Sequence, residues 1–299
     1  MTRIRKIKVK KLKIKPIEPP KSLKKGKFPA FRNFVWQIES LKGFKLLERN
    51  RPFILKMIKN SLYFKKVTNK EMIIRLKKSG VKFVEPINNL AAVIDVCIMH
   101  EIFKNKIYTK KYTIKPTDTI IDIGAHRGIA SIFFSKLATK GQVYSLEPYL
   151  ENYELLLRNL KLNNIENVHA INSGVLDSQG KRELGISSVN TGGHSLYDSV
   201  LKNKVVAKFV TLKSIIEGNK LKKIDLLKID CEGAESRILL ALNKENFSKI
   251  NNIALEYHEW MVPGYLNIES LRKHLESMNF KVQVDKKNLM LYAKNKNQR

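Results

Sequence analysis

From about Tyr112 onward, short apolar runs alternate with segments whose apolar residues recur at helical spacing. The runs predict buried strands and the recurring segments predict amphipathic helices. Thr119–Ile123 predicts a first strand and Ile129–Leu137 the helix after it, with Gly124-Ala125-His126-Arg127-Gly128 as the turn between them. Gln142–Leu146 predicts a second strand ending in Glu147-Pro148. Tyr149–Leu162 predicts a helix, stopped by Asn163 and Asn164, which tolerate left-handed conformations. Val168–Asn172 predicts a third strand, and Ile224–Ile229 a buried fourth that ends at Asp230. Cys231–Glu235 then turns into a helix over Ser236–Leu242. Asn252–Tyr257 reads as a strand, Ile268–Met278 as a helix, and Phe280–Val284 with Leu289–Ala293 as a terminal hairpin. Val205–Leu212 alternates and predicts a strand crossing the sheet edge, while Ser187–Ser195 is a polar loop carrying Gly192-Gly193-His194. Alternating β and α units that close on a hairpin predict an α/β fold with a mostly parallel sheet and one antiparallel strand.

The chain before Tyr112 has a different texture. Phe31–Leu47 and Phe53–Phe64 carry apolar residues at roughly helical spacing, Lys70–Lys78 is a shorter helical candidate, and Ala91–Phe103 is an apolar helix. Three regions follow: a basic tail over 1–30, a helical cap over 31–110, and a catalytic α/β domain over 111–299.

Composition adds one unusual fact, a formal net charge of +30. Residues 1 to 27 concentrate part of it, with Lys and Arg throughout and Glu18 as the single acid. Such a field attracts polyanions: nucleic acid, acidic glycans or an anionic membrane surface; the plainer reading is a solvated basic tail. Ile4–Ile14 alternates basic and β-branched residues and suits an edge strand on a partner, and Pro16, Pro19 and Pro20 separate it from the main core. No apolar run is long enough to span a bilayer, and the basic start lacks the apolar stretch of a secretory signal. Cys97 and Cys231 have neither metal nor redox spacing. A reduced, cytoplasmic protein is the expectation.

The candidate chemistry lies at the strand ends. A strand, a tight glycine turn and a helix in a parallel sheet form the place where a nucleotide-like ligand approaches the backbone. Gly124 and Gly128 are not spaced as the dinucleotide fingerprint, so no pyrophosphate cradle is indicated. Glu147, at the tip of the second strand, is placed to accept hydrogen bonds from both ribose hydroxyls. One glycine turn plus a ribose-binding acid fits a nucleoside cofactor without phosphates, of which S-adenosylmethionine is the common one. The alternative for Glu147 is a strand acid in an exposed loop.

Ile121-Asp122-Ile123-Gly124-Ala125 with Gly128, Glu147-Pro148, Leu227-Lys228-Ile229-Asp230-Cys231-Glu232-Gly233-Ala234-Glu235 and Glu256-Tyr257-His258 together resemble class I S-adenosylmethionine-dependent methyltransferases, and among them the FkbM family. The third stretch is the most specific, and the resemblance covers about residues 90 to 295. It implies a seven-stranded Rossmann-like sheet, S-adenosylmethionine as donor, a hydroxyl oxygen as acceptor, and sugars or polyketide-type natural products as substrates. One departure is His126, where the family often has Asn.

On this reading Gly124, Ala125 and Gly128 let the loop pass the methionine part of the cofactor, and Asp122 meets its ammonium directly or through water. Glu147 binds the ribose, and Ser173 and Gly174 lie near the adenine. Methyl transfer then needs alignment and removal of a proton. Asp230, Glu232 and Glu235 crowd three carboxylates at the carboxyl edge of the sheet. Like charges there favour a general base; the same oxygens also suit Mg²⁺, and acids at a helix N-terminus are favoured by its dipole alone. His258 is a second base candidate or a hydrogen-bonded structural histidine. His194 either reaches the substrate or sits in a surface turn. An RNA methyltransferase is the competing function: the basic arm suits phosphate contacts, but no N-P-P-Y-type segment follows the fourth strand to hold a flipped base. A fold that binds without catalysing is a third.

Overall fold

The computed structural model describes residues 62–68, 71–86, 90–187, 190–198, 201–258 and 267–297. The basic arm, the helix expected over Phe31–Leu47 and most of that over Phe53–Phe64 lie outside these residues.

Strands β1 (Leu62–Lys66), β2 (Glu71–Leu76) and β3 (Lys82–Pro86) form an antiparallel meander. This corrects the helical expectation for Lys70–Lys78 and for the end of Phe53–Phe64. Met72, Ile74 and Leu76 are buried while Glu71, Ile73 and Arg75 are not, which is the period of two of a strand covered on one face. Helix α1 (Leu90–Phe103) follows, as expected for Ala91–Phe103, and leads through a 3-10 turn at Ile107–Thr109 into the main domain.

The central sheet comprises β4 (Thr119–Ile123), β5 (Gln142–Leu146), β6 (Val168–Ile171), β10 (Leu226–Ile229), β11 (Asn252–Glu256), β12 (Phe280–Asp285) and β13 (Met290–Asn295). Their order is β12-β13-β11-β10-β4-β5-β6. All neighbours pair in parallel except β13, which is antiparallel to β11 and β12. This is the seven-stranded Rossmann-like arrangement with a C-terminal hairpin. Helices α2 (Ile129–Leu137), α3 (Leu150–Leu162), α4 (Leu212–Gly218), α5 (Glu235–Leu240), α6 (Lys244–Ser248) and α7 (Ile268–Ser277) complete it.

Alternation along each strand divides the apolar residues between two cores. Ile120 and Leu226 face one, with β1–β3, α1, α2 and α3; Ile121, Ile123, Leu227 and Ile229 face the other. A second small sheet, β7 (Gly174–Leu176), β9 (Asn203–Thr211) and β8 (Gly180–Ile186), packs on the latter core. Val205–Leu212 therefore pairs with β7 and β8 rather than with the edge of the main sheet. Cys97 and Cys231 are free thiols, each packed against one of the cores. No described helix is long and apolar enough to cross a membrane.

Register matters most for the site. Ile123 is paired with Leu146 on one side and Ile229 on the other. The residues after them, Gly124, Glu147 and Asp230, consequently emerge together at the carboxyl edge, where ligands bind in open α/β sheets.

Candidate active site

A cavity opens at that edge. Gly124 and Ala125 form its floor, Glu147 and Gly174 one end, and Asp230, Glu232, Glu256 and Glu101 the other. The floor is tight. Gly124 has φ +75°, and a Cβ there would stand 1.7 Å from the Asp230 carbonyl oxygen. Only glycine fits both the backbone conformation and the approach of two strand ends. The Gly124 and Ala125 amides both donate to the Leu146 carbonyl, at 3.1 and 3.0 Å, locking the turn to β5.

Glu147 is buried, and its two carboxylate oxygens accept from the His126 amide at 2.8 Å and the Tyr149 amide at 2.9 Å. Burial raises its pKa to about 7 against those two hydrogen bonds, which favour the charged form. An ionised carboxylate has about four acceptor positions, so two remain for a ligand.

Beneath the floor lies a charge network that follows from register. Asp122 and Lys228 are direct partners across β4 and β10. Their ion pair is 3.0 Å long, and both side chains are buried. Lys228 also donates to the Gly124 carbonyl at 2.6 Å and the Ile123 carbonyl at 3.1 Å, which ties the glycine turn to β10. Burial disfavours the ammonium, but Asp122 and Asp230 outweigh it and raise its pKa. Ser131 Oγ donates to the other Asp122 oxygen at 2.6 Å. Tyr108, in the 3-10 turn, donates its hydroxyl to Asp230 at 2.7 Å, and its ring lies under Lys228 Nζ.

The acidic end is organised from behind by His258 and Glu235. His258 Nδ1 donates to Glu235 Oε1 at 2.8 Å, and its Nε2 lies 3.6 Å from Glu232 and 4.0 Å from Glu256. Glu235 also accepts from the Gly233 amide at 3.1 Å. Burial works against charge on His258, but the Glu235 hydrogen bond and the Glu235, Asp230 and Glu232 charges raise its pKa to about 10. Burial first, and then Asp230, lifts Glu232 to about 7 and Glu256 to about 8, against the His258 charge. Asp230, Glu232 and His258 bring ligand atoms within 4.8 Å of one another. Mg²⁺ prefers oxygen ligands, which Asp230 and Glu232 supply, and His258 faces the same carboxylates.

Arg127 lies on the far side of the turn, buried between Glu85 of β3 and Asp95 of α1 and bonded to both through Nη1. It connects the meander, α1 and the glycine turn. His126 bonds Thr191 Oγ1 at 3.0 Å, and burial pushes its pKa down to about 4, so the ring is neutral.

A profile of the Methyltransferase FkbM domain matches residues 122–282, more than half of the chain. The chain belongs to the FkbM methyltransferase family. Methyltransferase 1 of Beauveria bassiana (strain ARSEF 2860) is 27% identical over 220 residues, covering 66% of this chain and 86% of that protein. Methyltransferase sdnD of Sordaria araneosa is 26% identical, covering 63% and 83%. The crystal structure of Methyltransferase FkbM from Methylobacillus flagellatus KT aligns with a TM-score of 0.44 at 11% identity, over 84% of this chain and 60% of that one.

In this FkbM methyltransferase the cavity brings together Gly124, Ala125, Glu147, Gly174, Asp230 and Glu232. It leaves out Asp122, which is buried beside Lys228 and accepts from Ser131. Ser173 is also outside, its hydroxyl bonded to the Gly174 and Lys208 carbonyls at 3.1 Å each. Gly128 instead caps α2 and meets Leu156 of α3. His258 is not among the residues that line the cavity; it stands behind Glu232, with Nδ1 bonded to Glu235. Among the cavity residues that the sequence does not single out are Glu101, Tyr108, Lys228 and Glu256. Lys228 and Glu256 stand inside the quoted motifs; Glu101 and Tyr108 give no local signal.

Proposed function

We propose that this protein transfers a methyl group from S-adenosylmethionine to a hydroxyl oxygen of a small-molecule or glycan acceptor. The observation that carries the reading is the pairing, in one cavity, of the Gly124 turn and buried Glu147 with an acidic end formed by Asp230, Glu232 and Glu256. The fit to a nucleoside without phosphates is supported by charge. Among the described lining residues Lys228 is the one cation, and its ammonium is occupied by Asp122 and two carbonyls.

Gly124 and Ala125 would hold the methionine part, Glu147 the ribose hydroxyls, and Gly174 the side near the adenine. When bound, the cofactor supplies an electrophilic methyl on a sulfonium, open to in-line displacement. The protein's share is to align the acceptor hydroxyl and take its proton. Glu232 suits that task, since a base poised near 7 is partly ionised at neutral pH and still basic. Asp230, held by Tyr108, accepts from the acceptor hydroxyl and orients it. His258 and Glu235 position Glu232 and balance its charge.

Ribose 2′-hydroxyl methylation of RNA is the second reading, favoured by the net charge of +30. The acidic end of the cavity disfavours phosphates beside the reacting oxygen. The deciding experiment is mass spectrometry of products after incubation with S-adenosylmethionine and either polyhydroxylated small molecules and glycans or total RNA. Methoxy products from the first pool are expected; methylated RNA alone would overturn the proposal.

A further inference from the structure

The loop Asn190–Leu196 is built into the cavity wall. Thr191 accepts from Asn152 Nδ2 through its carbonyl at 2.9 Å and bonds His126 through its hydroxyl. Asn190 accepts from the Gly192 and Gly193 amides, and Ser195 exchanges two backbone hydrogen bonds with Gly185 of β8. These anchors seat His194 against the ring of Tyr149, edge-on with centroids 4.5 Å apart. Tyr149 is the residue whose amide holds Glu147. His194 thus lies on the Glu147 side of the cavity, and it lines that cavity.

The tautomer of His194 is set by its neighbours. The Ser187 amide donates to Nδ1 at 3.1 Å, so Nδ1 carries the lone pair. Burial, with His126 and Arg127 nearby, pushes the ring down to about 4, which keeps it neutral. A neutral imidazole with Nδ1 accepting carries its one proton on Nε2. That Nε2 is buried and has no hydrogen-bond partner among the described residues, in a side chain only 9% exposed. A buried donor left unmade is costly, so one on a side chain that lines a ligand cavity points to an acceptor on the ligand.

We propose that His194 is a cofactor-binding residue whose Nε2–H donates to an acceptor atom on the nucleoside part, ribose or adenine, beside Glu147. This rests on the cofactor reading above. It gives the loop a defined role: a neutral, orientation-fixed donor opposite the ribose-binding acid, selecting a ligand with an acceptor there.

The test is calorimetric titration of the full chain with S-adenosylhomocysteine and, separately, with adenosine. His194→Phe keeps an aromatic edge against Tyr149 and removes the donor; His194→Gln keeps a donor nitrogen near the same point. Loss of one buried hydrogen bond predicts about tenfold weaker binding of both ligands by His194→Phe, with His194→Gln within about threefold of the wild type. Should His194→Phe not fold, wild-type protein with nitrogen-labelled histidine reports directly, since the Nε2 proton resonance must move when either ligand is added. Unchanged binding by His194→Phe, or an Nε2 signal that ignores both ligands, would overturn the inference. Weakening confined to S-adenosylhomocysteine would move the contact to the methionine part and overturn the nucleoside assignment. Absence of wild-type binding would instead remove the cofactor reading itself.

Discussion

Glu232→Gln is expected to lower turnover by about 100- to 10,000-fold, the usual contribution of a positioned general base. S-adenosylhomocysteine binding stays near the wild-type value, because Glu232 lies at the end of the cavity away from Glu147. Asp230→Asn also lowers turnover, and it adds a second signature. Asp230 is one of the charges that raise Glu232, so removing it lets Glu232 ionise at lower pH. Wild-type activity is expected to rise with pH through about 7 as Glu232 loses its proton, and the residual activity of Asp230→Asn to rise at lower pH. Steady-state rates across pH, with calorimetry on the same samples, separate the two effects. Wild-type turnover in both variants would remove the carboxylates from the chemistry. His258→Gln has a different expected form, since it withdraws the cation facing Glu232 and Glu256.

The other large effect falls on stability. Arg127→Met leaves Glu85 and Asp95 buried with no cation between them, and removing one partner of such a network costs about 3–5 kcal/mol. Glu85→Gln is expected to cost far less. Burial and the Asp95 charge push the Glu85 carboxyl upward, so less is lost with its charge than with the single cation that faces both acids. Its oxygen still accepts from Arg127. Denaturant titration of both variants checks the contrast; equal losses, or an Arg127→Met protein as stable as the wild type, would contradict it. Because Arg127 belongs to the glycine turn, its loss also loosens the floor on which Gly124 sits.

The legible parts of this molecule share one property: strand ends carry their own signal. An apolar run that stops at Gly124, Glu147 or Asp230 places that residue at the carboxyl edge whatever the neighbouring strands are. What resists reading depends on neighbours. Asp122 and Lys228 are 106 positions apart in the numbering and meet only because β10 lies beside β4 in matched register. Without that pairing, Asp122 looks free for a ligand. Tyr108 reaches Asp230 across 122 residues of sequence, from a turn held by a Tyr292 hydroxyl bond to the Ile107 carbonyl. The meander shows a different ambiguity. In Glu71–Leu76, Met72, Ile73 and Leu76 fit a helical stripe as well as Met72, Ile74 and Leu76 fit a strand face, and the covering elements decide between them. His258 shows a third: the carboxylates that raise its pKa, Glu235, Asp230 and Glu232, are assembled around it only by the fold.

The most direct test of the account is calorimetric titration with S-adenosylhomocysteine, comparing the wild type with Glu147→Gln across pH 6 to 8. Burial gives Glu147 a raised pKa of about 7 in the ligand-free protein, so stability from this group is present at low pH and lost as pH rises through that value. Ligand binding is expected to have the opposite dependence, because an ionised carboxylate is the better acceptor for ribose hydroxyls. Wild-type affinity is expected to strengthen with rising pH through about 7, and Glu147→Gln to bind roughly 10- to 100-fold more weakly with little pH dependence. Equal affinity in the two proteins at every pH, or no binding by the wild type, would contradict it.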